Sequence, residues 1–208
     1  MLANKPYVIG LTGGIGCGKS EAARFLESLG AAHFDADEVS RSLTAEDGEA
    51  LDEIRRVFGD NVFRKDGSLD RGRLGKLVFA DEAARRALEG ILHPLVQRNM
   101  LRAMDEAARA GVEVVILDVP LLFETGMDAL CDETWTLYVD RETQIERVMA
   151  RDGLCRADAE ARVDCQMSSE QRIARSTSAV DTGGPLERTR AELEQMFRAA
   201  IKRADKEK

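Results

Sequence analysis

Tyr7-Val8-Ile9-Gly10-Leu11-Thr12 runs directly into Gly13-Gly14-Ile15-Gly16-Cys17-Gly18-Lys19-Ser20, and that junction decides the fold. The first segment is a β-rich apolar run, the second matches G-x-x-x-x-G-K-[ST] in full, and Glu21 to Leu26 then takes up helical spacing. Glycines let backbone N–H groups curve around phosphate oxygens, and the start of a helix adds a favourable dipole. Lys19 can reach the terminal phosphates and the Ser20 hydroxyl can ligate Mg²⁺. The stretch predicts a nucleoside-triphosphate site made from Gly13, Gly14, Ile15, Gly16, Cys17, Gly18, Lys19, Ser20 and Glu21. Two readings of Cys17 stand side by side. Near a helix N-terminus and Lys19 its thiolate would be favoured and open to oxidation or alkylation; enclosed in the loop it is simply a small apolar residue.

Working outward, Gly30 predicts a helix C-cap, and Ala31 to Phe34 leads into Asp35-Ala36-Asp37 as a short strand ending in two acids. From about Asp37 to Ala110 the spacing is helical. Phe58-Gly59-Asp60, Lys65-Asp66-Gly67 and His93-Pro94 interrupt it, with the proline suited to the first turn of a new helix. Val112 to Val119 is a continuous apolar run, the pattern of a strand buried on both faces of a parallel sheet. Thr134 to Val139 repeats it, Arg141 to Ala150 predicts a helix, and Ser176 to Val180 is a weaker strand before a closing helix. Strands alternating with helices imply an α/β fold with a doubly wound parallel sheet.

Composition narrows the class. At 208 residues the chain is one compact domain with room for an insertion, and 44% hydrophobic against 33% charged residues excludes both disorder and a membrane span. Thirty Lys+Arg against 38 Asp+Glu leave a net charge of -8, which argues against a nucleic-acid partner. Cys17, Cys131, Cys155 and Cys165 form no C-x-x-C pair and the amino end has no signal pattern, so a reduced, cytoplasmic protein is expected, with its oligomeric state left open.

Within the triphosphate-binding classes, the chain has no N-K-x-D motif to read guanine, and Asp118 is followed by Val119-Pro120 rather than by a water-activating glutamate. A small-molecule kinase needs instead a carboxylate to take the acceptor's proton and a mobile arginine segment. Asp35 and Asp37 fall at the carboxyl end of the second strand, the edge where open α/β sheets bind ligands. Asp37 reads either as a general base, with holding Mg²⁺ through water as a variant, or as a helix N-cap. Arg147 and Arg151, four apart before Gly153, read either as lid arginines that neutralise the transferring phosphoryl group or as a solvated face.

Taken together, the Thr12-Gly13-Gly14-Ile15-Gly16 loop with Gly18-Lys19-Ser20, Asp35-Ala36-Asp37, His93-Pro94-Leu95, Asp118-Val119-Pro120-Leu121-Leu122-Phe123-Glu124, Arg151, and Gln166 with Arg172 resemble the dephospho-coenzyme A kinases in order and spacing. The resemblance implies a three-layer P-loop NTPase fold in three parts: a nucleotide core (about 6–36, 111–140 and 176–204), a helical acceptor-binding insertion (about 37–110) and a lid (about 141–175). It implies transfer of the ATP γ-phosphoryl to the ribose 3′-hydroxyl of dephospho-coenzyme A, with Mg²⁺ and no nucleic-acid or membrane partner. It casts Lys19 as phosphate clamp, Asp37 as base, Arg151 as lid arginine and His93 on the acceptor side, with Asp35 and Pro120 beside it. His33 takes no role from it. Thr182 departs from the family's Asp-Asn-x-Gly, and Cys17 stands where serine or alanine is common. A kinase for another small hydroxylated acceptor, or a non-catalytic nucleotide sensor, are the rival readings.

Overall fold

The computed structural model describes residues 5–206. Five strands, β1 (Tyr7–Gly13), β2 (Ala32–Asp35), β3 (Val114–Asp118), β4 (Glu133–Tyr138) and β5 (Ser178–Asp181), form one sheet in the order β2-β3-β1-β4-β5. The β1/β3, β1/β4 and β4/β5 pairs are parallel, as the strand–helix alternation predicts. The helices are α1 (Lys19–Ser28), α2 (Ala36–Leu43), α3 (Leu51–Phe58), α4 (Arg71–Ala80), α5 (Glu82–Arg109), α6 (Arg141–Asp152), α7 (Arg156–Asp164), α8 (Ser169–Arg175) and α9 (Leu186–Ala204).

The chain divides into two compact units, one running to Phe34 and resuming at Met104, the other spanning Asp35–Ala103. In the first, every residue of β1 and β3 is buried, which is what an apolar run without alternation requires. Ile9, Leu11, Ile116, Trp135 and Leu137 form its centre with Leu26 of α1 and Phe197 of α9. Trp135 is fully buried and satisfies its indole N–H on Glu133 at 2.8 Å. Gly30 follows Leu29, the C-cap of α1, with φ 103°, a left-handed stop that returns the chain toward β2.

The second unit is helical. Between α3 and α4 the Lys65-Asp66-Gly67 turn closes a small antiparallel bridge, Phe63 to Leu69, with Gly67 at φ 87°. The structure corrects two expectations. His93-Pro94 does not begin a helix; Pro94 lies inside the 28-residue α5. Proline has no N–H to donate, so the helix forgoes the hydrogen bond to the carbonyl four residues back without ending there. Likewise the second strand stops at Asp35, and Asp37 already belongs to the first turn of α2, so the two acids are not an extended pair.

Candidate functional site

The glycine loop leaves β1 and ends at Gly18, which caps α1 in a left-handed conformation (φ 81°, ψ 18°) and, as a glycine, supplies no side-chain cap to the first-turn amides. Those amides are the donors a helix start offers to an anion. Side-chain-free positions are required nearby: a Cβ on Gly13 would meet the Leu137 carbonyl and the Cys17 sulfur, and one on Gly14 would meet the Gln144 amide. Cys17 is 1% exposed, and burial pushes its thiol up despite the opposing pull of Lys19. The reactive-thiolate reading of Cys17 is therefore corrected: enclosure against β1 and β4 keeps the neutral form, and the residue acts as a small apolar filler.

Lys19 directs its ammonium to Asp118, at the end of β3, in a short ion pair. The other Asp118 oxygen lies 3.5 Å from His33 Nε2, and the carboxylate is 2% exposed. Burial alone would raise the Asp118 pKa, but His33 and Lys19 together hold it below the ordinary carboxylate range. From sequence alone, Asp118 takes no partner and His33 no role. An acid closing a strand buried on both faces, at the edge where such sheets bind ligands, was the available signal.

Gln144 and Arg147 of α6 both point at the loop. Gln144 Nε2 donates to the Ile15 carbonyl at 3.2 Å, and Arg147 donates to the Gly16 carbonyl at 3.1 Å and the Thr182 carbonyl at 2.9 Å. Gln166 accepts from Ile15 N–H at 2.8 Å. Arg172, 1% exposed, donates to the Met167 carbonyl (2.6 Å) and to Glu124 (3.3 Å). Arg151 is exposed instead; it grips Asp152 at 2.7 and 3.0 Å, and Arg162 holds the same carboxylate at 2.9 Å. The two arginines expected to act as a pair thus have separate partners. The Glu21 side chain is taken by Arg190 (2.5 Å), whose hydrogen bond lowers its pKa. The Pro120 carbonyl accepts from the Thr12 hydroxyl at 3.1 Å.

Two cavities open beside the loop. One of about 280 Å³ is lined by Gly16, Gly18, Phe25, Arg147, Thr182 and Gly184. The other, about 650 Å³, includes Gly14, Tyr138, Gln144, Gln166 and Arg172. Thr182, in the position that departs from the family's asparagine, is 9% exposed with its hydroxyl 2.9 Å from the Cys17 carbonyl.

In the other unit, Asp35 rather than Asp37 is the N-cap of α2, accepting from Asp37 N–H (2.7 Å) and Glu38 N–H (3.1 Å). Asp37 is exposed on the first turn, so the cap reading passes to its neighbour. His93 is exposed on α5.

For a divalent cation, no cluster of three His, Cys, Asp or Glu side chains exists among the described residues. The exposed Ser20 hydroxyl at the start of α1 fits Mg²⁺, which keeps several waters and takes the rest of its shell from substrate phosphates.

Comparison with known proteins fixes the lineage. The dephospho-CoA kinase family model matches residues 7–187. The chain belongs to the dephospho-CoA kinase family. A dephospho-CoA kinase of Symbiobacterium thermophilum is 46% identical over 193 residues, covering 93% of this chain and 81% of that one. Among solved structures, TT1252 from Thermus thermophilus has a TM-score of 0.78 at 36% identity, over 95% of this chain and 97% of that one. The dephospho-CoA kinase from Campylobacter jejuni gives 0.71 at 26%, over 94% and 97%. The α/β sheet and the glycine loop described above are thus those of a P-loop kinase.

Proposed function

We propose that this chain transfers the γ-phosphoryl group of ATP to the ribose 3′-hydroxyl of dephospho-coenzyme A, giving coenzyme A and ADP, the last step of coenzyme A biosynthesis. The observation that carries the reading is the family match across residues 7–187, joined to a complete phosphate loop on a strand–helix junction.

The residues divide the work. Amides of the loop and of the first turn of α1 receive the phosphate oxygens, and Lys19 exchanges its Asp118 partner for them. Asp37 takes the proton of the acceptor hydroxyl as its oxygen attacks the γ-phosphorus. Arg151 leaves Asp152 to neutralise the oxygens of the transferring group, and the segment 141–175 closes as a lid that excludes water. The insertion of about 37–110 receives the acceptor, with Asp35 fixing the helix that carries Asp37 and with His93 and Pro120 on the acceptor side. Ser20 would hold Mg²⁺ together with the substrate's phosphates, and the ion would there supply neutralisation of phosphate charge.

The protein works in the cytoplasm on two small-molecule substrates, without a nucleic-acid or membrane partner. The net charge of -8 and four free cysteines support this. The test is ADP release by the purified protein with ATP and Mg²⁺, comparing dephospho-coenzyme A with nucleosides, nucleotides and gluconate, and locating the new phosphate. Turnover confined to dephospho-coenzyme A with a 3′-phosphate product is expected; preference for another acceptor overturns the substrate, and ATP binding without any turnover overturns the enzyme.

A further inference from the structure

The phosphate loop is gripped from outside along three consecutive carbonyls. Ile15 C=O accepts from Gln144 Nε2 (3.2 Å), Gly16 C=O from Arg147 Nη1 (3.1 Å) and Cys17 C=O from Thr182 Oγ1 (2.9 Å). A trans peptide points its carbonyl and the next residue's N–H in opposite directions, so fixing these three carbonyls fixes the amides of Gly16, Cys17 and Gly18. The Cys17 amide is used within the loop, on the Gly14 carbonyl at 3.2 Å. The Gly16 and Gly18 amides point opposite to their clamped carbonyls, and both glycines sit at positive φ (80° and 81°) that other residues adopt only with strain. Left to themselves, glycines at such positions sample many conformations; the clamps remove that freedom before a ligand arrives.

Two of the three donors, Arg147 and Thr182, are themselves tied together. The Arg147 guanidinium holds the Thr182 carbonyl (2.9 Å) with one nitrogen while another holds Gly16. Thr182 N–H already donates to the Tyr138 carbonyl at 2.8 Å, and its single hydroxyl proton has the Cys17 carbonyl (2.9 Å) as a nearer target than that same Tyr138 oxygen (3.1 Å). Thr182 and Gln144 are both buried, so water is a poor replacement for either donor.

We propose that Gln144, Arg147 and Thr182 are positioning residues that preset the loop's amides for the triphosphate, acting through the Ile15, Gly16 and Cys17 carbonyls rather than by touching phosphate. This rests on the reading that the loop holds the phosphates of ATP, and it changes the part assigned to Arg147 from lid charge to loop brace. The residue after Asp181 then matters in this chain as the donor to the Cys17 carbonyl.

The experiment measures affinity for ATP and for inorganic tripolyphosphate, together with the acceptor KM and the melting temperature, in the full chain. Thr182→Val keeps shape but deletes the donor, and should weaken both phosphate ligands about fivefold to tenfold with the acceptor KM within twofold. Thr182→Ser should restore them. Arg147→Lys keeps the charge but cannot span two carbonyls, so it should lose about as much as Arg147→Gln. The proposal is overturned if folded Thr182→Val binds both ligands within twofold of wild type. Should that variant not fold, the arginine pair decides alone: an Arg147→Lys equal to wild type beside a weak Arg147→Gln would put the charge on the phosphate itself and overturn the bracing role. Wild-type protein that binds neither phosphate ligand would instead remove the functional reading, and the proposal with it.

Discussion

At residues 13–20 the loop carbonyls are held by side chains distant in sequence, whereas the start of α2, which carries Asp37, is capped by the side chain of its neighbour Asp35. Lys19 and Asp118 are 99 residues apart, and Thr182 and Cys17 are 165 apart. The α2 cap reaches two and three residues along the chain. The contrast follows from what each region must do. Backbone donors cannot be re-aimed without moving the chain, so an anion nest has to be built before its ligand binds. The base proposed at Asp37 is a single carboxylate, which needs only one side chain rather than a curve of backbone to be presented.

Breaking the braced region should cost most. Lys19→Ala is expected to cut kcat/KM at least about 1000-fold and to destabilise the fold by about 3 kcal/mol, because it strips the buried Asp118 of its main partner. Adding Asp118→Asn should recover much of the stability and none of the activity, as read by denaturant unfolding and steady-state assay. Recovery of activity as well would mean that Lys19 serves Asp118 and not phosphate. Next, Gly13→Ala places a Cβ against the backbone carbonyl of Leu137, which cannot swing aside; a loss of about 2 kcal/mol in unfolding free energy is expected.

The locally held region should answer more mildly. Asp35→Ala removes a cap with two hydrogen bonds and should cost about 1 kcal/mol in urea unfolding, whereas Asp35→Asn, which still accepts, should cost a few tenths. If Asp35→Ala costs as much as Gly13→Ala, the contrast between the regions is wrong. The smallest effect is that of acid. The Asp118 pKa is lowered in the folded chain, so its stabilisation is complete above the ordinary carboxylate value and is lost as pH falls through the folded one. Unfolding free energy should therefore fall with acidification below about pH 4, and Asp118→Asn should flatten that slope.

The same contrast explains what was legible in the sequence. The Tyr7 to Ser20 junction is local pattern, and it gave the strand, the loop and the helix together. Val114 to Leu117 announced a central strand because a run buried on both faces needs no partner to be recognised. Asp35 and Asp37 were visible as acids at a strand end, but which one caps α2 depends on where the strand stops, a matter of one residue. Pro94 misled because a proline reads as a boundary, whereas α5 runs through it from Glu82 to Arg109. The His33–Asp118 contact, the burial of Cys17 and the direction of Arg147 depend on packing between segments far apart in the chain, for which local periodicity carries no signal. Arg147 and Arg151 share a spacing, yet one found two carbonyls and the other its sequence neighbour.

The central claim is that the braced loop binds ATP while Asp37, on the lightly held helix, takes the proton. Asp37→Asn tests it in one pairing of measurements: equilibrium affinity for ATP and the single-turnover rate of phosphoryl transfer to dephospho-coenzyme A. The account predicts ATP affinity within about twofold of wild type and a rate lowered by about 100-fold or more. Parallel loss of affinity and rate, or an undiminished rate, would contradict it.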